Sequence, residues 1–164
     1  MVSTPLNPLF VDKSRIRAEI RTLQPEIVAW RRSLHQKPEL GFREFLTSEF
    51  VAHKLQEWGI SHKTGIAETG ILASIAGSRP GRVFAIRADM DALPIQEEND
   101  VPYKSQHDGV MHACGHDGHT AIALATAYYL SRHQDDFAGT VKIIFQPAEE
   151  GLGGAEPMIK AGVL

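Results

Sequence analysis

The chain has 164 residues, 43% of them hydrophobic and 23% charged, which is enough for one globular domain with a sizeable core and too mixed for a disordered or fibrous chain. A formal charge of -3 gives no electrostatic reason to expect nucleic acid or an anionic membrane as partner, while a small uncharged or anionic substrate is tolerated. The single cysteine, Cys114, excludes an internal disulfide and leaves one thiol free for metal or redox chemistry in a reducing compartment.

In chain order, Met1 to Pro8 lacks the basic and apolar regions of a secretory signal, and the longest apolar stretch, around Ala121 to Leu130, is too short and interrupted to span a bilayer. A cytoplasmic protein is expected. Downstream of this Pro-containing leader, Ile16, Ile20, Leu23, Ile27, Trp30 and Leu34 recur at spacings of three and four and predict an amphipathic helix, with Arg15, Arg21, Arg31 and Arg32 on other faces. Pro25 starts a new helix or kinks this one, and Pro38 and Gly41 stop it. A second, packing helix is predicted from about Glu44, with Phe45, Val51, Leu55 and Trp58 inward and Gly59 as its C-terminal cap.

Ile71 to Ala76 and Val83 to Ala88 are short apolar runs on either side of a Gly-Ser-Arg-Pro-Gly turn and read as adjacent strands of a hairpin. The second ends at Asp89-Met90-Asp91, where open α/β sheets place ligands, beyond the carboxyl ends of strands. Taken alone, that pair is read equally well as a solvated turn. Pro94 to Gly109 is polar and aperiodic, a long surface loop.

That loop leads into Met111-His112-Ala113-Cys114-Gly115-His116-Asp117-Gly118-His119-Thr120, which gathers the cysteine, three histidines and a carboxylate within ten residues and is too polar to be core. Thiolate and imidazole are the ligands preferred by borderline-soft divalent metals, and the one-residue gap of Cys-x-His lets both turn toward one ion. Alone, the run fits a buried small thiol beside satisfied loop histidines better than a ligand pair. From Thr120 to about Arg132, the residues Ala121, Leu124, Ala125 and Tyr128 form a helical stripe, so the run opens a helix whose backbone amides point at it.

Thr140 to Gln146 is the best strand in the chain and runs into Pro147-Ala148-Glu149-Glu150-Gly151. Pro147 fixes the exit and Gly151 frees the next turn, so Glu149 and Glu150 are held at the sheet edge, pointing to different sides. Alone, this would be an exposed acidic turn. Gly151 to Gly154 is partly like a dinucleotide loop, but Glu156 stands where the third glycine belongs and acids precede it, so nucleotide binding is rejected. Internal repeats, low-complexity tracts and domain linkers are absent.

Three clusters, Asp89/Asp91, Cys114/His116 and Glu149/Glu150, thus come from separate strand or helix ends, as expected if a sheet's edge gathers a metal centre. Adjacent glutamates suit two jobs: Glu150 ligates the metal while Glu149 accepts a proton from the attacking water and passes it to a leaving amine. A thiolate ligand argues for zinc, manganese, cobalt or nickel over magnesium or calcium.

Four ordered blocks, Trp30 to Phe42, Arg87-Ala88-Asp89-Met90-Asp91-Ala92-Leu93-Pro94, His112 to His119 and Gln146 to Gly151, resemble the M20 peptidase family of metal-dependent amidohydrolases, in the branch of hippurate hydrolases, N-acyl-amino-acid amidohydrolases and auxin-conjugate hydrolases. The resemblance implies a metal-dependent hydrolysis of N-acyl amino acids by activated water. It implies Cys114, His116 and Glu150 as ligands of a centre holding two divalent ions, Glu149 as general base, and Asp91 as the carboxylate orienting a metal ligand. The roles of Asp89, His112 and His119 stay open, and His35 with Glu39 reads as structural.

The expected fold is α/β, a mixed, largely parallel sheet flanked by helices, incomplete at the end where a strand and a short helix from about Ala155 are not followed by a closing strand. Similar enzymes continue with two more histidine ligands and an inserted dimerisation domain, so residues 1–164 read as the N-terminal part of one catalytic domain, with a homodimer expected only of the full-length form. The rival reading is an inactive piece that serves only in binding or has no function. A zinc deaminase is disfavoured because its His-x-Glu and Pro-Cys-x-x-Cys pattern is absent.

Overall fold

In a computed structural model that describes residues 13–164, the chain forms a four-stranded mixed sheet flanked by helices. The leader reading of Met1 to Pro8 lies outside the described residues. Helix α1 (Lys13–Gln36) runs unbroken through Pro25. It buries Leu23, Trp30 and Leu34 and half-buries Ile16, Ile20 and Ile27, the stripe its periodicity predicts.

Helix α2 (Phe45–Glu57) turns Val51 and Leu55 inward as expected, and Trp58 at its end packs against the core, but Phe45 does not face inward. Thr47, Val51 and Leu55, four residues apart, form its buried stripe, while Phe45 is 55% exposed. At 100° per residue Phe45 stands about 200° from Thr47, on the solvent side. The Glu39 carboxylate accepts hydrogen bonds from the Leu46 and Thr47 amides (3.1 and 2.8 Å) and from the Thr47 hydroxyl (3.0 Å), satisfying first-turn donors at the positive end of the helix dipole. Gly59, at φ 70°, closes the other end.

The strands are β1 (Ser61–Ile66), β2 (Gly70–Ala76), β3 (Arg79–Asp89) and β4 (Ala138–Gln146), and helix α3 (His116–Arg132) connects β3 to β4 through a short 3-10 turn (Gln134–Asp136). Their order is β1-β2-β4-β3: β1/β2 and β2/β4 are antiparallel, and β3/β4 is parallel. β2 and β3 are therefore not a hairpin; β4 lies between them. Only Gly77 and Ser78 join β2 to β3, passing the start of β4, and the β3–β4 register shifts between Arg79 and Val83, around Pro80 and Gly81. β4 is buried or half-buried at every position but Ala138, as a strand with a neighbour on each side is, whereas most of β3 is exposed. β1 carries almost no apolar alternation and gave no signal in the sequence; its pairing with β2 makes it a strand.

Period-two alternation separates two apolar layers. Ile71, Ala73 and Ile75 of β2 and Ile143 and Phe145 of β4 face α1, α2 and α3, where Val51, Leu55 and Leu124 close the main core. Each large side chain contributes about 1.5–3 kcal/mol by leaving water. Leu72 and Ile144 face the other way, under Met158 of helix α4 (Ala155–Lys160) and Val163. β3 is an edge strand, with Val83 and Phe84 each 60% exposed. No helix among the described residues is long and apolar enough to cross a membrane.

Candidate metal centre

α3 starts at His116, four residues before the expected start at Thr120, because Gly115 at φ 93° lets the chain turn directly into the helix. His116 and Asp117 thereby occupy the first helical turn and are buried, as is His112, so much of the polar run lies inside the protein. For His116 and Asp117, what makes this tolerable is pairing. His116 Nδ1 donates to Asp91, 2.9 Å from its carbonyl oxygen and 3.2 Å from Oδ1, which leaves Nε2 as the free acceptor. Burial pushes the His116 imidazole down, but the Asp91 hydrogen bond and the charges of Asp89 and Asp91 outweigh it and raise it above its ordinary range. For Asp91 burial acts upward and is outweighed by His116 and the amides of Glu150 and Glu149, so the carboxyl lies below its ordinary value.

At the end of β4, Ala148 adopts a left-handed φ of 51°, and both following glutamates swing to the same side. Glu149 Oε2 lies 3.9 Å and Glu150 Oε1 3.8 Å from His116 Nε2, correcting the expectation that they point apart. A strand's alternation ends where the strand does, and the turn after it follows no period of two. The Glu150 amide donates to Asp91 Oδ2 at 2.9 Å, so one aspartate orients His116 with one oxygen and fixes the acid loop with the other.

Ligand atoms of Cys114, His116 and Glu150 all lie within 4.8 Å of one another. A thiol, an imidazole and a carboxylate gathered this closely form the donor set of a borderline divalent ion. The hydrogen bond to Glu150 holds the Cys114 thiol above its ordinary pKa, with the nearby charges of Glu149 and Asp91 acting the same way. This crowding of negative groups is the electrostatic situation that a bound cation relieves.

Asp89, His116 and His119 form a second group of the same tightness. Asp89 Oδ1 lies 2.6 Å from His119 Nδ1 and 3.6 Å from His116 Nε2. With His116 Nδ1 engaged by Asp91, the two groups compete for one ring nitrogen. Arg87, not singled out in the sequence for a role of its own, reaches Asp89 (3.0 Å), Gln146 (2.8 Å) and the vicinity of Glu149 (4.0 Å). Its position two residues before Asp89, on the same strand face, is the signal that marks it.

Behind the centre, His35 stands between two buried carboxylates, with Nδ1 2.8 Å from Asp117 Oδ2 and Nε2 3.2 Å from Glu97 Oε1. Arg31 Nε also donates to Asp117 at 2.8 Å. Glu97 accepts the Ser105 amide at 2.6 Å, so the long loop from Pro94 to Gly109 is anchored through it. Burial raises the Glu97 carboxyl and these partners more than offset it. His35 and Glu39 do not touch a common partner; one belongs to this network and the other caps α2.

Residues 85–164 match the profile of peptidase family M20/M25/M40. The chain is 49% identical to an N-acyl-L-amino acid amidohydrolase of Geobacillus stearothermophilus over 93% of its own length and 41% of the relative's. It is 47% identical to a hippurate hydrolase of Campylobacter jejuni, covering 88% and 37%. Among solved structures, a dinuclear metal-binding peptidase of the M20 family from Bacillus subtilis superposes with a TM-score of 0.85 at 45% identity, covering 88% of this chain and 41% of that one. The chain thus spans about two fifths of the length of the relatives it matches. With the four sequence blocks, the sheet and the gathered donors in agreement, the chain belongs to peptidase family M20/M25/M40.

Proposed function

We propose that this chain supplies the nucleophile-activating part of an amidohydrolase that cleaves the amide bond of N-acyl amino acids, with Cys114, His116 and Glu150 as metal ligands and Glu149 as general base. The observation that carries this reading is the approach of Glu149 and Glu150 to the same nitrogen of a histidine whose other nitrogen is engaged by Asp91. When bound, a zinc, manganese, cobalt or nickel ion supplies the Lewis acidity that makes water a nucleophile near neutral pH.

The protein residues then divide the work. Asp91 fixes the His116 tautomer and aims Nε2 at the ligand position. Glu149, 39% exposed in its side chain, is open enough to take a proton on Oε2 and to return it to the departing amine. Arg87 holds Asp89 and approaches Glu149 from the strand side, limiting how far that carboxylate swings. Three donors serve one ion, and a second ion needs donors beyond them. We therefore read residues 1–164 as one part of a catalytic domain, whose relatives' names point to acyl amino acids as the substrate class.

The test is a pair of substitutions in the complete enzyme. Glu149→Gln should keep its metal and lose about 10²–10⁴-fold in turnover of acetyl, benzoyl or indoleacetyl amino acids. Glu150→Gln should lose metal itself. A reversed pattern in metal analysis would exchange the two roles, and unchanged turnover in both would end the reading.

A further inference from the structure

Glu44 is fully buried, yet neither the metal ligands nor the proton transfer uses it. Its carboxylate accepts the Ala148 amide on Oε1 at 2.8 Å and the Thr69 hydroxyl on Oε2 at 2.5 Å. It thus ties the start of α2 and the β1–β2 turn to the acid loop. Ala148 and Thr69 are themselves buried, so water does not compete for these bonds.

Ala148 is the residue that needs holding. Its φ of 51° lies in the left-handed region, which a residue with a Cβ avoids, and this turn is what brings Glu149 and Glu150 to one side. Two residues later the Glu150 amide is fixed by Asp91 Oδ2. Buried carboxylates therefore grip the backbone on either side of Glu149, one from the α2 side and one from the β3 side. Gly41 closes the remaining space, since a Cβ there would meet Ala148 at 3.0 Å.

We infer that Glu44 is a positioning residue, which holds Ala148 in its left-handed turn so that Glu149 and Glu150 converge on His116. The inference rests on the metal-centre reading for its consequence, but the grip itself is a property of the metal-free protein. Deleting the carboxylate releases the Ala148 amide, lets the residue relax toward negative φ and carries Glu150 away from Cys114 and His116.

The experiment compares wild type with Glu44→Ala, Glu44→Gln and the double variant Glu44→Ala/Ala148→Gly. Amide hydrogen exchange is measured without metal, and cobalt(II) binding is followed by the absorption of the Cys114 thiolate bound to cobalt. In Glu44→Ala, exchange at the Ala148 amide should rise while the α3 amides keep their protection, and cobalt affinity should fall by about 10–100-fold, as when the support of a metal ligand is removed. Gln keeps an acceptor oxygen for the amide, so Glu44→Gln should behave as wild type. Glycine adopts positive φ without assistance, so the double variant should regain affinity.

Wild-type exchange and affinity in Glu44→Ala would overturn the inference, as would a Glu44→Gln variant as impaired as the alanine one. Loss of α3 protection in Glu44→Ala without recovery in the double variant would reduce Glu44 to general packing and overturn it too. If wild type bound no cobalt, the metal-centre reading would fail, while exchange at Ala148 would still decide the grip.

Discussion

Asp91 and His116 meet at two points, the imidazole Nδ1 lying 2.9 Å from the aspartate carbonyl and 3.2 Å from its Oδ1. The doubled contact fixes both the tautomer and the tilt of the ring, and it comes from the segment just past β3 acting on the first residue of α3. Anything that loosens it is felt at Nε2, on the side where the acid pair stands.

Asp91→Ala should therefore lower metal affinity by about 10–100-fold, although Asp91 is not among the three proposed ligands. It also frees the Glu150 amide, so the loss should exceed that from replacing the more exposed His119 with alanine. Competition titration against a chromogenic chelator measures both.

Cys114 should report occupancy. A metal-bound thiolate is shielded, so a chelator should speed its reaction with a thiol reagent. In the metal-free protein the Glu150 carboxylate holds the thiol above its ordinary pKa, which keeps the thiolate fraction low at neutral pH. Glu150→Gln removes the largest cause, so metal-free Glu150→Gln should label faster than metal-free wild type at pH 7.5. Equal rates in all samples would return Cys114 to an ordinary surface thiol.

His112 should shape acid stability. Burial depresses its pKa from 6.5 to about 4, and neither ring nitrogen has a partner among the described residues. The unfolded chain then binds a proton between these values that the folded chain refuses. Stability is fully present above pH 6.5 and falls as the pH drops toward 4, by about 3 kcal/mol from this residue. Urea unfolding of wild type and His112→Leu across that window should show a flatter acid limb in the variant.

The network behind the centre predicts a larger static cost. His35→Ala leaves Glu97 and Asp117 buried without their shared partner, which should destabilise the fold by about 3–5 kcal/mol. Adding Glu97→Gln removes one stranded charge and should recover part of that loss in denaturant midpoint. A double variant no more stable than the single one would show that His35 matters by packing alone.

The site was more legible in the sequence than the sheet was. The spacings within Asp89-Met90-Asp91, Cys114-Gly115-His116 and Glu149-Glu150 are local facts, and strand or helix ends place them on one edge. The direction of Glu149 was not legible, because it depends on the φ of Ala148, and that angle is held by Glu44 from a hundred residues away. The partners of His35 were hidden for the same reason: Glu97 sits in a loop whose composition reads as solvent-exposed. Strand order failed because hydrophobic runs show which segments are strands but not which of them become neighbours.

The place of β4 between β2 and β3 has a consequence for how the chain is made. β2 and β3 are synthesised one after the other with apolar faces that match, so the quickest structure open to them is the hairpin that the finished protein lacks. Native pairing of Arg87 waits for Ile144, and of Ile75 for Val141, until α3 and β4 have emerged. A hairpin formed early would have to open before β4 takes its central place.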